Sequence, residues 1–254
     1  MSELSEYKNF CKVLAEASAN VIGKYFRTEI SVELKNDNSP VTIADKKAEQ
    51  VMRELIMKQY PDHGIFGEEF GEINKDAEYT WILDPIDGTK SFICGAYSFG
   101  TLIGLLKNGQ PIIGVYNHPI FNDFLIGDNL ETRINGETTF IRNCSELNKA
   151  VLLTTDHLNI EKYQDIEKFN QLIKNVKLYR NWGDCYGYYL LATGYADIMI
   201  DPIMSPWDLL PLIPIIKGAG GVISDYQGND PVKGKSAVAS SPHIHSEIIS
   251  LLNN

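Results

Sequence analysis

Residues 81–92 read WILDPIDGTKSF: an apolar run meets two aspartates around a proline, and a glycine and a threonine follow at once. Two readings of Asp84-Pro85-Ile86-Asp87-Gly88-Thr89 compete. Proline at the second position and glycine near the fourth are common in β-turns. A turn leaves the location unexplained, because a strand as apolar as Trp81-Ile82-Leu83 should end inside the protein. Two carboxylates are costly there unless compensated. A divalent cation compensates well. Asp84 and Asp87 can face one or two cations, Pro85 stiffens the loop between them, and the Ile86 carbonyl adds an oxygen. Gly88 lacks a Cβ, so its backbone can come close to a phosphate. Thr89 offers a hydroxyl, and the amides of Thr89 and Lys90 can point at an anion from a helix start.

A metal cluster needs more oxygens than this loop holds. GIFGEEFGE, residues 64–72, supplies Glu68 and Glu69 after a short apolar strand. IDPIMSPWDLLP, residues 200–211, supplies Asp208 at a helix start and Asp201 upstream of it. Taken singly, each acid also reads as a solvated side chain or a helix cap. All the candidates are oxygen donors, a set that prefers Mg²⁺, Mn²⁺ or Ca²⁺ over zinc.

Outward from this segment, apolar spacing predicts a helix over 7–26 and a second over 41–60, with Asp45 near its start; the polar link KNDNSP joins them. Residues 99–140 alternate β-rich runs with the turn pairs Asn108-Gly109, Gly127-Asp128 and Asn135-Gly136, which marks an antiparallel meander. From about residue 145 strand-like and helical runs alternate as in an α/β layer: strands at 150–155, 177–182, 197–201 and 221–226, helices at 160–176, 185–196 and 207–220. A boundary near residue 143 follows, with an α+β domain over 1–143 carrying most of the candidate ligands. An α/β domain over 144–254 carries Asp208.

The bulk numbers narrow the function. With 254 residues, 44% of them apolar and 22% charged, the chain is an ordinary globular protein with a sizeable core. A formal charge of −10 argues against a nucleic-acid binder, although a bound metal can reverse the local sign for a small anion. Cys11, Cys94, Cys144 and Cys185 are scattered without a C-x-x-C pair. With a polar, acidic N-terminus that is no signal peptide, they read as reduced thiols of a cytoplasmic protein. No apolar run approaches a membrane span.

Glu68-Glu69, Asp84-Pro85-Ile86-Asp87-Gly88-Thr89 and Trp207-Asp208 resemble, in order and separation, the motifs of the inositol monophosphatase family of Mg²⁺-dependent, lithium-sensitive phosphomonoesterases. SPVTIADKKAE, residues 39–49, and GAGGVISDYQGN, residues 218–229, extend the resemblance over nearly the whole chain. It implies a five-layered αβαβα sandwich and a homodimer. It also implies a first metal on Glu68, Asp84 and the Ile86 carbonyl, a second on Asp84, Asp87 and Asp208, and a weaker third helped by Glu68, with Mn²⁺ a possible substitute. Gly88 and Thr89 would contact the phosphate of a small-molecule ester, and Asp45 with Thr89 would orient and deprotonate the attacking water.

The departure from the inositol enzymes lies at RNWGDCYGY, residues 180–188, where that group carries small residues. A carboxylate there suits a cationic substrate, while the ordinary alternative for Asp184 is an N-cap. This segment resembles the histidinol-phosphate phosphatase branch, which serves histidine biosynthesis and whose substrate carries an amine and an imidazole. Gly183, Asp184, Cys185 and Asp201 are the implied substrate contacts. The rival expectations are an inositol-1-monophosphatase or broad phosphatase of the same family and, from another class, a metal-dependent binding or regulatory protein.

Overall fold

The computed structural model describes residues 3–35 and 39–254. Five layers, helix–sheet–helix–sheet–helix, stack with apolar side chains at each of their four interfaces.

The outermost helices are α1 (Glu3–Ile22) and α2 (Ile43–Gln59). Between them β1 (Val32–Leu34) and β2 (Pro40–Thr42) pair as a hairpin around the KNDNSP link, whose residues 36–38 lie outside the described residues. The sequence-predicted first helix runs to residue 26, but the regular helix stops at Ile22 and successive turns occupy 23–27.

The first sheet comprises β3 (Gly64–Gly67), β4 (Gly71–Ile73), β5 (Tyr79–Asp87), β6 (Gly100–Lys107), β7 (Gln110–His118), β8 (Asp123–Gly127), β9 (Thr132–Ile134) and β10 (Glu137–Thr138), with the short helix α3 (Thr89–Ile93) after β5. Its order is β10-β9-β8-β7-β6-β5-β3-β4, antiparallel except for the β3–β5 pair. Asn108-Gly109 and Asn135-Gly136 form two-residue hairpin turns with positive φ at both residues, the geometry that matches strand twist. Gly127-Asp128 differs: Gly127 ends β8, and Asp128 starts a longer turn in which its carboxylate accepts the Leu130 and Glu131 amides.

Period-two alternation divides the sheet's faces. Trp81, Leu83, Ile103 and Leu105 pack with Leu14, Met52 and Ile56 of α1 and α2. Ile82, Leu102 and Tyr116 face the middle layer, α6 (Asp184–Ala192) and α7 (Pro206–Gly218). Helix α7 retains Pro211 and Pro214 inside it. It lies close on the sheet because Gly104, Gly114 and Gly127 are cross-strand partners under it; a Cβ on Gly114 would sit 1.8 Å from the Pro211 carbonyl oxygen.

The second sheet, ordered β12-β11-β13-β15-β14, comprises β11 (Val151–Leu153), β12 (Leu178–Arg180), β13 (Ile198–Asp201), β14 (Val222–Ser224) and β15 (Ala237–Ser240). It gives Leu153, Met199 and Ala239 to the middle layer. Leu152, Ile198, Ile200 and Val238 face the outer helices α4 (His157–Tyr163), α5 (Ile166–Asn175) and α8 (Pro242–Asn253). The single helix expected over 160–176 is two, because Asp165 leaves the helix and caps α5, accepting the Glu167 and Lys168 amides. Strand β15 and helix α8 were not anticipated, although Ser241-Pro242 is a helix-start signal and Ile244, Ile248 and Leu252 recur every four residues. Among the described residues no helix is long and apolar enough to cross a membrane.

Candidate active site

Strand β5 does not turn at Asp84-Pro85-Ile86-Asp87; it bulges. Asp84 pairs with Leu102 and Asp87 with Gly100, so one extra residue sits on β5 between those pairs. Residues three apart in a regular strand point to opposite faces. The bulge cancels that alternation and turns both carboxylates into one cleft. Asp84 Oδ1 accepts the Ile86 amide at 3.0 Å, and the Pro85 carbonyl accepts the Thr101 hydroxyl at 2.8 Å. The turn out of the bulge is made by Gly88 at φ 91°, where a Cβ would lie 2.8 Å from the Ser98 carbonyl oxygen and 3.1 Å from Asp184 Oδ2.

A third carboxylate arrives from the middle layer. Asp208 is the third residue of α7, and its Oδ2 accepts the Ser205 amide at 3.0 Å in a capping box that aims the side chain back along the helix start. Asp87 Oδ2 accepts the Cys185 amide at 2.6 Å from the first turn of α6. Oxygens of Asp84, Asp87 and Asp208 lie within 4.8 Å of one another. Burial first, then the charges of Glu68, Asp87 and Asp208, pushes the Asp84 carboxyl well above its ordinary range. Burial likewise raises Asp87, with Asp184 and Asp208 adding to it, and lifts Asp208 to about 7. No described lysine or arginine forms an ion pair with these three. Crowded, oxygen-only and without a cationic side chain, with Asp84 buried and Asp87 and Asp208 half-buried, the trio fits a hard divalent cation.

Glu68 follows β3 at the rim of the same cleft, and its Oε1 accepts the Lys35 ammonium at 2.7 Å; Lys35 also donates to Glu69 Oε1 at 2.8 Å. Glu69 is nearly buried, and burial raises its carboxyl to about 7. Asp45 is fully buried beneath the cleft, its Oδ2 accepting the Thr42 amide at 2.9 Å and hydroxyl at 2.6 Å as the N-terminal capping box of α2. Its Oδ1 lies 3.4 Å from the Thr89 hydroxyl, which donates to the Ile86 carbonyl at 3.0 Å. Burial raises the Asp45 carboxyl.

The opposite wall holds Asp184, the first residue of α6, with φ at 51°. That left-handed backbone is uncommon for a residue with a side chain. The Asp184 amide donates to the Thr155 hydroxyl at 2.8 Å, while its carboxylate has no hydrogen-bond partner among the described residues. Burial, then Asp201, lifts that carboxyl to about 7, and Lys90 lowers it. A recess beside it is lined by Thr155, Asp156, Asn159 and Asp201 and opens toward Asp87 and Asp208. The main cleft encloses about 770 Å³ and is lined by Glu68, Asp84, Ile86, Asp87, Gly88, Thr89, Gly183, Asp184 and Asp208.

The sequence profile of the inositol monophosphatase family matches residues 3–254. The chain belongs to that family. A chloroplastic bifunctional phosphatase IMPL2 from Arabidopsis thaliana is 44% identical, covering 94% of this chain and 70% of its own. A histidinol-phosphatase from Chlorobaculum parvum is 35% identical over 95% of this chain and 94% of its own. Among solved structures, an inositol monophosphatase from Zymomonas mobilis superposes with a TM-score of 0.89 at 35% identity, covering 100% of both chains.

Within this inositol monophosphatase fold, two residues singled out from sequence take placements their motifs did not reveal. Cys185 is buried, its amide on the Asp87 carboxylate and its thiol 3.5 Å from the Asp87 carbonyl oxygen. Asp201 lines the recess, but its oxygens already accept the Thr155 amide at 3.1 Å and the Tyr188 hydroxyl at 3.0 Å. Asp184 is not a cap, since Gly183 holds the N-cap position. Lys35, Thr155 and Asn159 line the cleft without having been singled out. Thr155 had a signal: it is the second of two polar residues that end the apolar run of AVLLTT.

Proposed function

We propose that the chain is a Mg²⁺-dependent phosphomonoesterase that hydrolyses L-histidinol phosphate to L-histidinol and inorganic phosphate. The observation that carries the substrate is the Asp184 carboxylate, which faces the cleft without a partner beside a recess lined by Asp156 and Asp201. A half-buried acid held in that way suits the ammonium or imidazolium of an amino alcohol, whereas a neutral polyol offers it hydroxyl donors but no opposite charge.

In this reading Glu68, Asp84, Asp87, Asp208 and the Ile86 carbonyl hold two or three Mg²⁺ ions, with Mn²⁺ a substitute. Bound Mg²⁺ supplies charge against the phosphate oxygens and lowers the pKa of water. The chain's own residues do the rest. Gly88 and Thr89 let the phosphate approach the backbone. The Thr89 hydroxyl and Asp45 Oδ1 orient the attacking water and take its proton, a task for which a raised carboxyl is suited. The water oxygen forms the new bond to phosphorus, the ester P–O bond breaks, and the alcohol leaves with a proton. Gly183 and Cys185 position the wall that carries Asp184. The reading includes a functional division near residue 143, a homodimer, a cytoplasmic setting and inhibition by lithium.

A second reading, an inositol-1-phosphatase, is favoured by the equal 35% identity to a solved inositol monophosphatase. Parallel kcat/KM measurements on L-histidinol phosphate, inositol 1-phosphate and a nucleoside monophosphate separate the two. The proposal expects at least a ~100-fold preference for the ester whose alcohol carries a cationic group, in line with the ~1–3 kcal/mol cost of a buried polar group left unpaired. Equal or reversed ratios refute it.

A further inference from the structure

We infer that Glu49 is a positioning residue for the cation site, holding the backbone on which Glu68 stands. The inference rests on the reading of Glu68 as a metal-holding carboxylate.

Glu49 lies on α2 one turn after Asp45, with its side chain fully buried. Its Oε2 accepts the Glu69 amide at 2.8 Å, and its Oε1 accepts the Phe70 amide at 3.2 Å and Arg53 Nε at 2.7 Å. Arg53 also donates to the Gly71 carbonyl, closing the far end of the same turn. On the other side of Glu68, its own amide donates to the Leu83 carbonyl at 3.1 Å, next to Asp84. Glu68 therefore stands on backbone tied at its own amide to the metal-bearing strand and at the following amide to α2. Gly67 leaves room for this arrangement, since a Cβ there would lie 2.2 Å from Glu49 Oε1.

An i,i+4 ion pair on a helix usually faces solvent and asks nothing of the rest of the fold. This one is buried and spends two of its acceptor positions on a distant turn. A carboxylate is the group that can accept from all three donors; an amide would set its own NH₂ against one of them. Partners that orient a metal ligand from behind are worth ~10–100-fold in metal affinity when removed.

The test is Mn²⁺ binding to the metal-free protein, followed by electron paramagnetic resonance, in Glu49→Gln, Glu68→Gln and the double variant. Each single substitution is expected to weaken the Glu68-dependent Mn²⁺ site ~10–100-fold. The double variant should be no weaker than Glu68→Gln alone, because two residues acting through one contact are not additive. The Mn²⁺ concentration for half-maximal turnover of Glu49→Gln should rise by the same factor. Additive losses, or a Glu49→Gln protein that binds Mn²⁺ normally while Glu68→Gln does not, overturn the inference and leave the proposed function standing. Normal Mn²⁺ binding by Glu68→Gln overturns the role of Glu68 and the inference with it. Should Glu49→Gln fail to fold, Glu49→Asp, which keeps the charge and shortens the reach, takes its place under the same criteria.

Discussion

The two ends of strand β5 obey opposite rules. At its start, Trp81 is fully buried, donates Nε1–H to His63 Nδ1 at 3.1 Å, and packs among Tyr7, Phe10, Tyr60 and His63. Three residues further on, Asp84 is 2% exposed amid three other carboxylates. The first end satisfies its polar groups internally, so it contributes stability. The second crowds carboxyl groups together, an arrangement that a bound cation would relieve. Local conflict of this kind is where a fold gives up stability for chemistry.

The largest test of the contrast is Asp84→Asn. It should cost on the order of 10³-fold or more in Mg²⁺-dependent kcat/KM, the loss of at least one electrostatic contribution to the transition state, while the metal-free protein stays folded by circular dichroism. Near-normal turnover would break the comparison. Trp81→Ala should do the reverse. A large buried aromatic removed costs about 3–5 kcal/mol in denaturant unfolding, with the KM of the folded fraction unchanged. Asp184→Ala is intermediate: KM for L-histidinol phosphate should rise about 10-fold or more while KM for the phosphate ester of an uncharged alcohol barely moves. Equal shifts for both would remove Asp184 from substrate recognition.

The smallest effect is in pH, where the two ends carry opposite signs. Asp208 is raised to about 7 in the folded chain, so its contribution is full below its unfolded pKa and is lost as pH rises through 7. Burial lowers His63, so its contribution is present above its unfolded pKa of about 6.5 and is lost as pH falls. In metal-free protein Asp208→Asn should therefore gain Tm relative to wild type as pH goes from 5 to 8. Mn²⁺ should raise the wild-type Tm more at pH 8 than at pH 5. A variant–wild-type gap that is flat with pH would show that the acidic end is not strained.

What the sequence made legible was local. Asn108-Gly109 and Asn135-Gly136 specify hairpins because only a few residues tolerate their backbone, and DPIDGT marks its cleft because so many special residues crowd together. What it hid depends on partners far along the chain. The bulge exists only relative to β6, so 84–87 read equally well as a turn. The stripe Gly104, Gly114 and Gly127 has meaning only once the strands are in register beneath α7. Glu49 looked like any polar helix residue until β3 and β4 closed over it. Asp165 broke a helix that apolar spacing had carried through, because a cap competes with propagation on nearly equal terms.

The bulge has one more consequence. The Thr101 hydroxyl that holds the Pro85 carbonyl is itself 3.3 Å from the hydroxyl of Ser18, a buried residue of the outermost helix. A line of small alcohol groups thus runs from the molecule's periphery to the peptide unit between Asp84 and Asp87. Conservative-looking exchanges such as Ser18→Ala or Thr101→Val would loosen the main chain at the one point that sets the spacing of the two carboxylates.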